Sequence, residues 1–258
     1  RIYPADFADN TNLMSTYTYP SKQFNGYEIT ETPKKYVLDK VYVNIMQKYQ
    51  SNVYNRIVNS LKKEIEDFDS KKSFNFQVLG VQLNSLNMTY PHETLNIEDN
   101  IEDNKEDVST KFLYGKEGLY NIMNYETLVT PVEQLSNFEY KPLMLKKYGR
   151  IFELDKIGTY SSKIESICKA VQNSTGIVLI YSRYLEEGLL PVALALEEMG
   201  ITRYSYASHI KPFFKKGKPY LNPLTMKPKT GNDKYIAKYT MITGTKLFSP
   251  NNEQDLEL

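Results

Sequence analysis

Apolar residues recur at Met46, Tyr49, Val53, Ile57, Leu61, Ile65 and Phe68. A spacing of three to four places them on one stripe of a long helix, facing a core. Just upstream, KKYVLDKVYVNIM carries Tyr36, Leu38, Val41 and Val43, which favour a strand. Arg1 to about Pro33 is rich in Tyr, Pro, Thr and Asn without sustained periodicity and reads as an extended lead-in. Downstream, FNFQVLGVQLNSLNMTYP is mixed and apolar and ends in a turn at Pro91. LYGKEGLYNIMNYETLVTP then resumes helical character between glycines and a proline.

The pattern changes at Arg150. Ser162 and Glu165 have the spacing of a capping box, and Ile164, Ile167, Cys168 and Val171 share a helix face. Ile177 to Tyr181 is a continuous apolar run, as expected of a strand covered on both faces, with Tyr181 in the core. A helix is expected from Leu189 to Met199, with Pro191 in its first turn and Gly200 ending it. ITRYSY and YIAKYTMITG are two further strand candidates. Helices alternating with buried strands predict an α/β fold with a parallel sheet flanked by helices. The chain thus falls into three regions: an extended lead-in or linker over 1–35, a helical and mixed region over 36–149, and the α/β lobe over 150–258.

Composition narrows the chemistry. The 258 residues carry a formal net charge of +1, so any electrostatic function comes from local patches. The single cysteine, Cys168, excludes an intramolecular disulfide and fits a reducing compartment. His92 and His209 lie far apart without metal-ligand spacing. No signal peptide is visible and no apolar run approaches a membrane span. The opening at Arg1 and the helix signal at Pro250 read as a segment cut from a longer chain. NIEDNIEDNKEDVS, Asn96 to Ser109, holds six acids against one lysine and reads as a solvated loop.

Catalytic motifs are missing. Gly115-Lys116 and Gly217-Lys218 lack the hydroxyl residue of a phosphate loop, no Asp-Glu dipeptide occurs, and no nucleophile elbow is present. One feature stands out: Lys211 to Lys238 contains eight lysines and one acid, Asp233, interleaved with Phe213, Phe214, Tyr220 and Tyr235. Lysines neutralise phosphates and exposed aromatics stack on bases; the other reading is a solvated proline-rich loop with its aromatics tucked into the core. The stretch also lies on the C-terminal side of the ITRYSY strand, where open α/β sheets bind ligands.

At GIVLIYSRYLEEGLLPVALALEEMGITRY the residues resemble the motif IV region of superfamily 2 helicases from nucleocytoplasmic large DNA viruses. That group includes the poxvirus early transcription factor large subunit, nucleoside triphosphate phosphohydrolase I, and their asfarvirus and giant-virus relatives. The similarity extends to FLYGKEGLYNIM, GRIFELDKIGTYSSKIESI, LTMKPK and YTMITGTKLFSPNN. NIMQKYQSNVYNRIV is similar to the Met-x-x-x-Gln-x-x-x-Tyr helix that opens the second motor lobe in related remodellers. The resemblance covers most of the chain from about Tyr36.

What the resemblance implies is an incomplete RecA-like second lobe with a helical N-terminal lead-in and insertion. It would supply strand contacts and lobe closure to an ATP-dependent helicase or translocase associated with transcription. ATP and Mg2+ would be cofactors of the parent enzyme, none bound by this segment alone, because the first lobe supplies the phosphate loop and motifs V and VI would follow Leu258. The implied partners are single-stranded DNA or RNA, the N-terminal helicase lobe and a viral RNA polymerase, with no membrane. The implied location is the host cytoplasm, in the viral factory, and the virion. By position, Ser182 and Arg183 match residues that approach the nucleic-acid backbone, and Thr243 and Gly244 match a turn near the bound strand. Lys227 and Lys229, in LTMKPK, complete the candidate nucleic-acid-binding set; no catalytic residue and no metal ligand is expected. The alternative is a non-enzymatic docking module, a RecA-like scaffold kept to hold a viral RNA polymerase or another partner.

Overall fold

A computed structural model of the chain describes residues 43–67, 76–92, 109–125, 138–174, 176–204 and 212–244. The lead-in, most of the acidic 96–109 segment, His209, Lys211 and the stretch from 245 onward lie outside the described residues. The chain divides into Arg1–Asn44 and Ile45–Leu258, and every helix and strand described belongs to the second unit.

Helix α1 (Lys48–Asp67) buries Tyr49, Val53 and Ile57, the stripe its spacing predicts. It begins two residues after Met46, and residues 43–47 are irregular rather than strand. Helix α2 (Phe76–Asn87) occupies a stretch whose pattern is mixed. Gln50 fastens the two helices to a third. Fully buried, it donates from Nε2 to the carbonyls of Ser85 and Leu86, both at 3.4 Å, and accepts the Ser162 N–H at 3.1 Å. A buried amide satisfied on both ends fixes three backbones at one point. Tyr49 adds a hydrogen bond to the Tyr90 carbonyl at 3.0 Å.

A short 3-10 turn (Thr110–Leu113) leads into α3 (Gly115–Ile122) and β1 (Met123–Asn124), which pairs antiparallel with β2 (Glu139–Tyr140). Helix α4 (Pro142–Tyr148) begins with proline at its first position, where no intrahelical N–H bond is needed. Helices α5 (Leu154–Tyr160) and α6 (Ser162–Asn173) follow. The cap of α6 is Ser161 and not Ser162: its Oγ accepts the Ile164 N–H at 3.0 Å and donates to the Asn87 carbonyl at 2.6 Å. Ser162 has instead become the first helical residue. Ile164 and Cys168 are buried, with Ile167 and Val171 packed beside them, so the helix face is as expected.

A π-helical turn (Leu185–Leu189) runs into α7 (Leu190–Met199). Pro191 stands in the first turn, and Gly200 ends the helix at a φ of 96°, in the left-handed region. Strand β3 (Thr202–Arg203) pairs in parallel with β4 (Lys238–Tyr239). Both lie within the expected strand segments, but each is two residues long.

The expected strand at Ile177–Tyr181 is not formed. The segment is irregular, and no backbone hydrogen bond joins it to another described residue. Leu179 is 93% exposed and Tyr181 78% exposed, so Tyr181 is not a core residue. An apolar run becomes a buried strand only when neighbouring strands take its N–H and C=O groups and helices cover its faces. Among the described residues no strand takes those groups, and only Ile180 packs against the core.

The core itself spans residues from Tyr49 to Met241. One of its charged struts is Glu198 on α7, whose buried carboxylate accepts Arg150 Nε at 3.0 and 2.9 Å and the Tyr140 hydroxyl at 3.0 Å. Arg150 also stacks over Tyr140 and Phe214, at 5.3 and 5.4 Å from the ring centres. Burial raises the Glu198 pKa, and Arg150 and Tyr140 oppose that rise. Arg150→Ala should lower stability at neutral pH by about 3 kcal/mol, because it strands a buried charge. A folded pKa raised further in this variant means the loss shrinks as pH falls from that raised value towards the ordinary glutamate range, below which the carboxyl enters the fold neutral. Urea midpoints measured at two pH values check both the size and the sign.

Candidate nucleic-acid interface

The lysine-rich segment divides into buried aromatics and exposed cations. Phe213 and Phe214 are buried core residues, not stacking platforms. Phe213 packs edge-on to Phe138 at 5.4 Å, and Phe214 lies against Tyr140 at 5.7 Å. Tyr220 and Tyr235 remain exposed, at 47% and 60%. Two of the described lysines in this stretch have acidic partners: Lys215 with Glu139 at 3.6 Å, and Lys218 with Glu153. Lys234 and Lys238 lie over the rings of Tyr235 and Tyr204. Lys216, Lys227 and Lys229 are exposed and form no ion pair among the described residues.

Residues 220–233 form a loop braced from within. Asn222 N–H donates to the Lys227 carbonyl at 2.9 Å, and Lys229 N–H to the Tyr220 carbonyl at 2.7 Å. Asp233 accepts the Asn222 side-chain amide at 2.7 Å, the Thr230 N–H at 2.7 Å and the Thr230 hydroxyl at 3.1 Å. Met226 adopts a φ of 53°, a left-handed conformation that non-glycine residues seldom take and that the surrounding bonds hold. The one acid of the stretch is therefore a structural brace, and the lysines beside it face solvent. The Thr230 N–H, with Asn222, holds the Asp233 carboxyl below its ordinary pKa.

Both flanks of the loop are tied to α7 by Glu197. Its buried carboxylate accepts the N–H groups of Phe213 at 2.8 Å and Phe214 at 2.9 Å, and the Tyr239 hydroxyl at 2.7 Å. Burial raises its pKa, opposed first by those two N–H donors, then by Tyr239 and Arg203. Glu197 lies inside the stretch that carries the resemblance but is not among the expected site residues. Its one signal there is a pair of adjacent acids, Glu197 and Glu198, closing the otherwise apolar helix LLPVALALEEM just before Gly200. Between this helix end and the loop opens a cleft of about 290 Å³, lined by Glu197, Gly200, Phe214, Lys215, Lys218 and Tyr220 among others. Gly200 is required here twice over: its φ is positive, and the Pro219 carbonyl stands where a Cβ would be.

The expected site residues fall into three places. Lys227 and Lys229 sit on the braced loop with exposed side chains. Thr243 and Gly244 lie beyond the end of β4, Gly244 exposed with open space around it. Ser182 and Arg183 precede the π turn: Ser182 Oγ accepts the Tyr184 N–H at 3.1 Å, and the Arg183 guanidinium lies over the Tyr184 ring at 5.3 Å. That ordering of the turn gives Ser182 a structural task. Gly115-Lys116 does not offer a phosphate site. At the start of α3 the Glu187 side chain lies against Gly115, and Lys116 pairs with Glu186 at 3.4 Å, so acids stand where an anionic phosphate would have to sit.

Comparison of the chain with protein-family models, curated proteins and solved structures gave no match. Among the described residues no helix is long and apolar enough to cross a membrane.

Glu197→Ala leaves three donors unpaired and should lower stability by about 3 kcal/mol or more. Hydrogen exchange at the Phe213 and Phe214 amides should rise with it; continued protection would show that the clamp does not hold the segment leading into the loop. For Asp233, a depressed folded pKa means the brace is present above the ordinary carboxylate range and lost as pH falls through the folded value. The Thr230 amide resonance should therefore move in step with Asp233 protonation in an NMR titration, and Asp233→Asn should abolish that step.

Proposed function

We propose that this chain binds a single nucleic-acid strand through the 212–238 face and works as a strand-contacting part of an ATP-dependent helicase or translocase. One observation carries the reading. The only acid in the stretch is taken up by internal hydrogen bonds, while Lys216, Lys227 and Lys229 project without ion-pair partners among the described residues, from a segment anchored on α7. A fixed array of cations, with Tyr220 and Tyr235 exposed among them, suits a phosphate backbone with unstacked bases.

The motor assignment draws on the sequence resemblance to viral superfamily 2 helicases. It draws also on the order α6, irregular apolar segment, α7, β3, with β3 and β4 parallel, which is compatible with a partial RecA-like lobe. ATP and Mg2+ belong in this reading to the parent enzyme. The acids beside Gly115 and Lys116 do not fit a triphosphate, and no hydrolytic step is assigned to this chain. A non-enzymatic docking module is the second reading, favoured by the exposed apolar side chains of 177–181.

Binding of a fluorescein-labelled oligothymidylate, followed by anisotropy over a range of salt, tests the proposal. Lys227→Ala and Lys229→Ala should each weaken binding and reduce the slope of log affinity against log salt by about 0.7, the value for one phosphate contact on a single strand. Both changes preserve the backbone bonds of the loop. Unchanged slopes, or no binding at low salt, would overturn the reading.

A further inference from the structure

We infer that the cleft between the C-terminal end of α7 and residues 212–220 receives one nucleotide of the bound strand, its base on Tyr220 and its phosphate between Lys215 and Lys218. This rests on the strand-binding role proposed above and gives it a specific seat. The cleft volume, about 290 Å³, stands at the lower end for small-molecule sites. It suits a single mononucleotide and nothing much longer.

The lining supplies both halves of such a ligand. Tyr220 offers an exposed ring face to a base. Lys215 meets Glu139 at 3.6 Å, but both side chains are more than half exposed, so solvent screens the pair and a phosphate can displace it. Lys218 also lines the cleft and pairs with Glu153, and with a third of its side chain exposed it can turn an N–H donor to a phosphate while keeping that partner. The acid on the cleft wall, Glu197, turns its oxygens to the Phe213, Phe214 and Tyr239 donors, which offsets the repulsion an anion would otherwise meet.

The seat is also connected to the loop. Lys229 N–H donates to the carbonyl of Tyr220, so the backbone carrying the stacking ring adjoins the backbone carrying an exposed lysine. A strand with one base on Tyr220 would thus bring an adjacent phosphate towards Lys229. Leu221 N–H, bonded to the Gly200 carbonyl at 3.1 Å, fixes the other side of the same turn to the helix end. An acidic peptide could satisfy the lysines but has no obligatory planar group for Tyr220.

The test compares the full chain with Tyr220→Ala, Tyr220→Phe and the Lys227→Ala/Lys229→Ala double variant, using labelled oligothymidylate and, by NMR, thymidine monophosphate. Tyr220→Ala should weaken oligonucleotide binding by about fivefold or more, and Tyr220→Phe should stay within about twofold of the parent chain. Thymidine monophosphate should shift the Gly200 and Gly217 amides of the parent chain and leave those of Tyr220→Ala unmoved. If Tyr220→Ala binds as the parent does while the double lysine variant is weakened, the cleft assignment fails and the strand reading stands. If the parent chain binds no oligonucleotide, both fail. Polyglutamate that competes equally well and depends equally on Tyr220 would overturn the nucleotide in favour of an acidic peptide.

Discussion

A carboxylate buried near the end of α7 holds together parts of the structure that secondary structure alone leaves loose. Strands β3 and β4 contribute two residues each, too few for a sheet to organise its surroundings. Glu197 makes up for that by accepting two consecutive backbone N–H groups from the segment after β3 and the Tyr239 hydroxyl from β4. Burial works against its charge, and the three donors work for it. Its neighbour Glu198 takes Arg150 and Tyr140, both of which pack on Phe214. Two adjacent acids thus join one helix to the aromatic layer and to the lysine-rich segment, which meet at Phe214.

Periodicity made the helices legible wherever one face was apolar and the other polar. Helix α1 shows its stripe at Tyr49, Val53 and Ile57, and α6 shows its face at Ile164 and Cys168. Helix α2 was less readable because it contacts α1, α6 and the π turn, so its apolar and polar positions do not fall on opposite sides. The cap of α6 was displaced by one because Ser161 and Ser162 are adjacent and spacing alone does not choose between them. In the candidate site, Lys227 and Lys229 were legible because cations seldom bury. The inward turn of Phe213 and Phe214 is one of the two readings the stretch allows, and what selects those two rings over Tyr220 and Tyr235 is Phe138, Tyr140 and Arg150, all far away in sequence.

The segment 177–181 shows the limit of a local signal most clearly. Its composition is that of a central strand, yet every side chain but Ile180 faces solvent, and its backbone has no hydrogen-bond partner among the described residues. Apolar content states a demand for cover, and only tertiary pairing meets it. Exposed apolar surface of this kind is characteristic of places where another chain segment or another molecule packs. Both functional readings accommodate that. A motor lobe needs strand neighbours, and a docking module needs a partner.

The internal bracing of residues 220–233 has a consequence for rates. A flexible lysine tail must be ordered each time it meets a polyanion, and the lost chain entropy weakens the complex. Here Asp233, Asn222 and the Tyr220–Lys229 bond have already fixed the backbone before any encounter. The folding of the domain bears that ordering, and the side chains alone remain to be arranged. A strand moving across such a surface would meet the same rigid spacing of cations at every step, which favours short, repeatable contacts over a long-lived wrap.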